Sequence, residues 1–230
     1  MSGLREEVLR YAGMGRADEK EIDPRIIDFA DQAMDELTRV YEPRCTTKIF
    51  SVNTIPGVEN GLRFGGLNVM DVTSRSLTVN LQGCEEVLFF AATLGIEVDR
   101  LIRKYSARDM SQGVIMDAAA TALIESYCDR CNYRLEKELN KEYKTLRPRF
   151  SPGYGDFDVK HQWDFIRLLD LPRTIGVTPT DSGMLVPTKS VTALMGISRF
   201  RKPLYGDIQR CNIHGCEECL KKDCIYRRNI

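Results

Sequence analysis

Residues 87–92 (VLFFAA) form an unbroken apolar run, and the fold class follows from this run and the segments around it. Such a run between polar residues predicts a strand that is buried within a sheet. After Gly95, apolar residues at helical spacing predict a helix directly behind the strand. Asp109, with Gln112 three residues on, resembles a capping box and predicts the start of a long helix that ends at about Leu139. The middle of the chain is therefore predicted to be helical.

Strands are predicted on both sides of this helical middle. Residues 45–52 are β-branched and aromatic, and residues 191–198 alternate with the period of a sheet strand. Helices are predicted over 24–41 and 163–169, and four glycines predict a loop-rich segment over 57–66. This order predicts an α+β fold, with a twisted antiparallel sheet packed with helices, rather than parallel βαβ units.

Length and charge exclude several classes of protein. The 230 residues are 43% hydrophobic, which is enough for one sizeable core. Lys+Arg and Asp+Glu both number 33 and are mixed along the chain, so we expect no nucleic-acid or membrane partner. No apolar run could span a bilayer and no secretory signal is visible, so we expect a cytoplasmic protein. We expect one domain over 1–205, with N-terminal helices within 1–42, and a cysteine-rich tail over 206–230.

Residues 147–156 (RPRFSPGYGD) carry the most specific pattern in the chain. Their prolines and glycines exclude a continued helix and predict a shaped loop. Arg149 offers a planar fork that can grip a carboxylate at two points. Pro152 stiffens the loop, while Gly153 has no Cβ to keep a ligand from the main chain. Tyr154 offers a ring face that attracts a cation such as a sulfonium.

The loop resembles the Arg-x-x-Pro-Gly-Tyr loop that contacts S-adenosylmethionine in the activation domain of vitamin B12-dependent methionine synthase. The order of the apolar strand, the alanine-rich helix and the late strand also agrees, over roughly residues 80–200. The resemblance implies the fold of that domain and a cofactor-binding role for the matching residues. These residues are Arg149, Ser151, Pro152, Gly153 and Tyr154. Backbone groups around Ser151 could then pair with the adenine or the amino acid end of the ligand.

The family's other contacts to S-adenosylmethionine are only partly matched by residues of this sequence. The resemblance implies that Glu125 contacts the amino group of S-adenosylmethionine, with Thr121, one helical turn earlier, as the alternative match. An N-terminal aspartate contact of the family has no match here. A tyrosine that the family carries in the late strand also has none, and Val191 lies near its position.

The implied function is that of an accessory subunit in methionine biosynthesis. It would support reductive methylation of cob(II)alamin on a partner, either a cobalamin-dependent methionine synthase or a related corrinoid methyltransferase. An electron donor such as flavodoxin or ferredoxin would complete the system. Because both reacting centres belong to cofactors, the module needs binding and orientation but no catalytic residue of its own.

Four cysteines near the C-terminus suggest an alternative function. Their spacing fits a metal or cluster site, although it matches no standard ferredoxin or zinc-finger pattern. They are Cys211, Cys216, Cys219 and Cys224. An iron–sulfur cluster, a zinc ion and plain reduced thiols all remain open, and the first two would define a redox protein centred on this tail. Cys128 and Cys131 lie in the middle of the predicted helix, so we interpret their spacing as incidental.

An autonomous small-molecule methyltransferase is the third alternative. Such an enzyme of the Rossmann type needs a Gly-x-Gly turn after an early strand. The sequence contains no such turn, and this alternative is therefore the least favoured.

Overall fold

A computed structural model describes residues 2–15, 21–66 and 69–199. The helices are α1 Ser2–Leu9, α2 Pro24–Val40, α3 Arg75–Asn80, α4 Ile96–Arg108, α5 Met110–Asn140, α6 Gln162–Leu169 and α7 Leu171–Thr174. The strands are β1 Arg44–Thr54, β2 Gly61–Phe64, β3 Met70–Thr73, β4 Glu86–Thr93, β5 Thr145–Leu146, β6 Thr178–Pro179, β7 Leu185–Val186 and β8 Ser190–Ser198. A π-helical turn at Arg10–Met14 continues α1, and a 3₁₀ turn at Val159–His161 precedes α6.

Six strands form one sheet in the order β3-β2-β1-β4-β8-β5, and β6 and β7 form a separate hairpin. Every pairing of named strands in the described residues is antiparallel. This confirms the predicted α+β class. An open sheet of parallel strands, as a Rossmann-type enzyme requires, is not what the described part of the chain forms.

The apolar run 87–92 lies in β4, near the middle of the sheet, where both faces are covered. Because side chains alternate across a strand, the run supplies two cores at once. Leu88, Phe90 and Ala92 face the helices α2, α4 and α5. Val87, Phe89 and Ala91 face the opposite core, which α6 and α7 cover. Burial on both faces explains why the run is not interrupted by polar residues.

Helix α5 begins where the sequence predicts. The Asp109 side chain accepts hydrogen bonds from the backbone N–H groups of Ser111, at 2.8 Å, and Gln112, at 3.4 Å. The helix then runs for 31 residues across the sheet. It crosses α4 closely at Gly113, where an added Cβ would lie 2.7 Å from the backbone Cα atom of Ser106. Glycine is therefore required at this crossing.

The prediction of a loop-rich segment over 57–66 is only partly right, because four of its ten residues form a strand. The segment contains β2, and β3 and α3 follow within a few residues. Gly57 and Gly65 have φ angles of +75° and +72°, so they form the turns before and after β2. Strands of four residues are too short to show a period of two, and the glycines therefore hide them in the sequence.

No helix in the described ranges is both long enough and apolar enough to cross a membrane.

Candidate functional site

A β-bulge between Leu146 and Phe150 fixes the position of the predicted loop relative to β8. Leu146 pairs with Ile197, and Phe150 pairs with Leu194, so three residues on one strand oppose two on the other. The extra residue lies within 147–149, which includes Pro148, an acceptable residue on this edge strand because it has no N–H to donate. The bulge reverses the alternation of side chains. Leu146 therefore faces the helical layer, Phe150 faces the opposite core, and the side chain of Arg149 is turned toward α5.

Arg149 is the electrostatic centre of the site. Its side chain is only 11% exposed, and its Nη2 atom lies 2.9 Å from Glu125 Oε2 and 2.9 Å from Asp129 Oδ1. The side-chain amide of Asn132 satisfies both of its polar atoms in one of its two orientations. In that orientation the amide oxygen of Asn132 accepts a hydrogen bond from Arg149 Nη1 at 2.9 Å. A buried guanidinium needs such partners, and α5 supplies all of them.

Glu125 and Arg149 lie in direct contact. They are the two charged residues that are predicted to bind the ligand. Burial raises the pKa of the Glu125 carboxyl, and the guanidinium of Arg149 opposes that rise. Thr121 has other partners, because it bonds to Lys189 Nζ at 2.9 Å and to the Asp117 carbonyl at 2.9 Å. Of the two alternatives on α5, it is Glu125 whose side chain reaches Arg149.

Asp129 and Asn132 are site residues that sequence reasoning missed. They follow Glu125 at four- and seven-residue spacing and so lie on the same face of α5. That spacing is visible in the sequence. What the sequence does not show is that this face turns toward Arg149, because the bulge that directs Arg149 depends on pairing with β8, more than forty residues further along the chain.

The turn that follows is closed by its own backbone. Tyr154 N–H donates to the Ser151 carbonyl at 3.0 Å, and Gly153 N–H donates to the Phe157 carbonyl at 2.6 Å. These two N–H groups and the Ser151 carbonyl are thus engaged within the loop. Gly153 has a φ of +95° and no atom within 4 Å of an added Cβ, while the side chain of Pro152 is buried. The Tyr154 ring is 48% exposed.

Asp156 anchors the loop to α3. Its carboxylate accepts hydrogen bonds from Ser74 Oγ at 2.6 Å, from Arg75 N–H at 2.7 Å and from Ser76 N–H at 3.0 Å. A carboxylate at the start of a helix satisfies backbone donors that have no partner within the helix. These hydrogen bonds, led by that of Ser74, hold the pKa of Asp156 far below its ordinary value. The loop is thus fixed at both ends, by the bulge and by this anchor.

Replacing Asp156 with asparagine should lower the thermal unfolding midpoint at pH 7 by about 2–4 °C, since a lost cap costs about 1 kcal/mol. The folded pKa is depressed, so the carboxylate stabilises above the unfolded pKa of about 3.9 and this contribution disappears as pH falls through the folded pKa. Differential scanning calorimetry between pH 7 and pH 2 should therefore show the two proteins converging in acid. Asp181→Asn, in the exposed turn between β6 and β7, serves as control and should change little.

An open groove of about 510 Å³ lies beside the site. It runs between α4, α5 and the π-helical turn, with Asp117 and Thr121 at the end nearer to Glu125. Its lining mixes apolar side chains such as Ile102 and Val114 with those two polar groups.

The remaining positions named from the sequence are the four tail cysteines and Val191. Cys211, Cys216, Cys219 and Cys224 lie outside the described residues. Within the described ranges, no group of three or more His, Cys, Asp or Glu side chains could hold a metal ion. Val191, near the position of the family's tyrosine, packs against the helical core.

Comparisons with known proteins address the fold and the family. The chain is similar to a crystal structure of the MetH reactivation domain bound to AdoHcy, with 19% sequence identity and a TM-score of 0.59, over 79% of this chain and 67% of that one. This likeness shows the predicted fold. No curated protein matches the chain significantly. The model of the family "Vitamin B12 dependent methionine synthase, activation domain" matches residues 78–202, which is more than half of the chain, and the protein therefore belongs to this family.

Proposed function

We propose that this protein binds S-adenosylmethionine and supports the reductive methylation of cob(II)alamin on a partner. The partner would be a cobalamin-dependent methionine synthase or a related corrinoid methyltransferase, supplied with electrons by a flavodoxin or ferredoxin. The observation that carries the proposal is the contact of 2.9 Å between Glu125 and Arg149, which belongs to the loop that resembles the family's ligand loop. Family membership and the fold support it further.

The Arg149–Glu125 pair is complementary to the amino acid end of S-adenosylmethionine. That end carries a carboxylate and an ammonium group, which are the counter-charges that a guanidinium and a carboxylate require. When the ligand enters, each member of the pair exchanges its protein partner for a ligand group of the same charge, so no buried charge is left unpaired. Asp129 has a side chain that is 71% exposed and can return to solvent during this exchange.

The sulfonium and the nucleoside of the ligand would contact two further features of the chain, Tyr154 and the groove. The exposed ring of Tyr154 presents a face to a sulfonium, whose positive charge favours an aromatic neighbour. The groove beside Thr121 offers room for a nucleoside. The chain's residues would bind and orient the methyl donor, and the methyl group would pass from sulfur to the cobalt of the partner. No proton transfer is needed, which agrees with the lack of a predicted catalytic residue.

Gly153→Ala tests whether the ligand approaches the main chain of the loop. Gly153 and Gly176 both have positive φ angles, +95° and +73°, and neither has an atom within 4 Å of an added Cβ. Alanine at either position should therefore cost about the same in stability, on the order of 1 kcal/mol. Only Gly153→Ala should also weaken S-adenosylmethionine binding in a calorimetric titration. Equal affinities of the two variants would show that Gly153 is only a turn residue.

A reactivation assay tests the proposed function as a whole. The full chain is mixed with a methionine synthase fragment that carries cob(II)alamin but lacks its own activation domain. A one-electron reductant and S-adenosylmethionine with a radiolabelled methyl group are added. We expect the label to appear on the corrinoid, and to do so more slowly with Tyr154→Ala. Tyr133→Ala, on another exposed tyrosine that is 61% accessible, should match the unmodified protein. Labelling that does not depend on the chain would refute the proposal.

The alternative, an iron–sulfur or zinc protein, rests on the spacing of the four tail cysteines. Iron, zinc and acid-labile sulfide analysis of anaerobically purified protein distinguishes it. Stoichiometric metal that is lost in Cys216→Ser would favour a metal-centred role, alone or combined with the first. Metal-free protein that binds S-adenosylmethionine would exclude it.

A further inference from the structure

Cys45 and Cys131 are brought into contact although 86 residues separate them in the chain. Their Sγ atoms lie 3.4 Å apart, with the Cys131 thiol donating to the Cys45 sulfur. Cys45 is exposed on β1, opposite Ala92 of β4, and its side chain points to the helical side of the sheet. Cys131 is buried on α5. The partner of Cys131 is therefore a cysteine of the sheet and not Cys128, which lies three residues earlier on α5.

The surroundings of the two sulfurs differ. The Nη2 atom of Arg134 lies 3.4 Å from the Cys131 sulfur and donates to it. Burial raises the pKa of the Cys45 thiol above its ordinary value, and Cys131 contributes to that rise while Tyr127 opposes it. Cys45 is the member that a solute can reach, and Cys131 is positioned to react with whatever has attached to it.

We propose that Cys45 and Cys131 form a reversible dithiol–disulfide site for small disulfide oxidants of the glutathione disulfide class. The Cys45 sulfur, as thiolate, attacks the oxidant and forms a mixed disulfide while one small thiol leaves. The Cys131 sulfur then attacks Cys45 and releases the second small thiol. Two electrons and two protons pass from the pair to the oxidant, which becomes two thiols, and one Cys45–Cys131 bond forms.

We expect closure of this bond to move the part of α5 that contacts Arg149. The sulfurs must approach from 3.4 Å to about 2.05 Å. β1 is held to β4 over eight residue pairs, so the shift falls mainly on α5. Asp129 and Asn132, which flank Cys131 on α5, are the residues that contact Arg149. Oxidation should therefore change the affinity for S-adenosylmethionine at least about fivefold, an effect that rests on the proposed function.

The site itself is tested on the full chain without any ligand. The protein is incubated with oxidised glutathione at pH 8.5, alkylated and mapped by mass spectrometry without reduction. We expect a peptide that joins Cys45 to Cys131, and a higher thermal unfolding midpoint that returns on reduction, because the bond restrains the unfolded chain. Cys45→Ser should lose both effects, while Cys128→Ser should retain both. Absence of the joined peptide, or a bond from Cys131 to Cys128 instead, would overturn the proposal.

A second measurement separates the site from its effect on the ligand. S-adenosylmethionine is titrated into the reduced and the oxidised chain. Reduced protein that binds, and oxidised protein that binds with the same affinity, would overturn the coupling. Reduced protein that does not bind would refute the proposed function, while the joined peptide would still establish the dithiol site.

Discussion

Replacing Arg149 with alanine is expected to weaken S-adenosylmethionine binding by about 10- to 140-fold. The guanidinium is the charged partner that the proposed site offers to the ligand carboxylate. A hydrogen bond to a charged group contributes about 1.5–3 kcal/mol, and each 1.4 kcal/mol is a factor of ten in affinity. Isothermal titration calorimetry on the wild-type and variant chains measures the difference directly.

The controls for Arg149→Ala address charge and folding separately. Arg173→Ala removes an arginine whose side chain is 85% exposed in a surface pair with Asp170, and it should leave the affinity unchanged. Arg149→Lys keeps the charge but loses the planar fork, so it should restore only part of the affinity. Glu125 and Asp129 are partly exposed, so circular dichroism should show a folded variant. Wild-type affinity in Arg149→Ala would remove this residue from the site.

Replacing Phe89 with alanine is expected to have the largest effect on stability. Phe89 is fully buried in β4, and its ring lies 4.9 Å from that of Phe50, 5.7 Å from that of Phe64 and 4.9 Å from that of Phe165, measured between centroids. Truncating such a residue costs about 3–5 kcal/mol, from lost transfer energy and the remaining cavity. Urea unfolding should show the free energy of unfolding lowered by this amount and the midpoint shifted to a lower urea concentration.

Tyr133→Ala provides the matched control for Phe89→Ala. It removes an aromatic ring from the exposed surface of α5, and the free energy of unfolding should change by no more than about 0.5 kcal/mol. A loss below about 1 kcal/mol in Phe89→Ala would mean that the core on that side of the sheet is not closely packed.

The fold could be predicted where the signal is local. The apolar run of β4, the Asp109 cap of α5 and the spacing in α2 each act within a few residues, and each element lies where the sequence places it. β2 and β3 were not predictable in this way. Their four residues are held by pairing to β1 and to each other, and such pairing leaves no pattern in so short a segment.

The same contrast applies to the candidate site. The loop over residues 147–156 could be predicted from its prolines and glycines, whereas the ligand-binding roles of Arg149 and Tyr154 stay predictions. The bulge, the contact with Asp129 and the anchor from Asp156 to Ser74 could not, since Ser74 lies 82 residues from Asp156. Contacts of this kind depend on the assembled sheet.

We propose above all that the loop after α5 binds S-adenosylmethionine next to Arg149 and Glu125. A calorimetric titration of S-adenosylmethionine into the reduced full chain tests it most directly, with Arg149→Ala titrated in parallel. We predict saturable binding of one molecule per chain that is weakened at least about tenfold in the variant. No saturable heat up to millimolar ligand, or equal affinities of the two proteins, would contradict the claim.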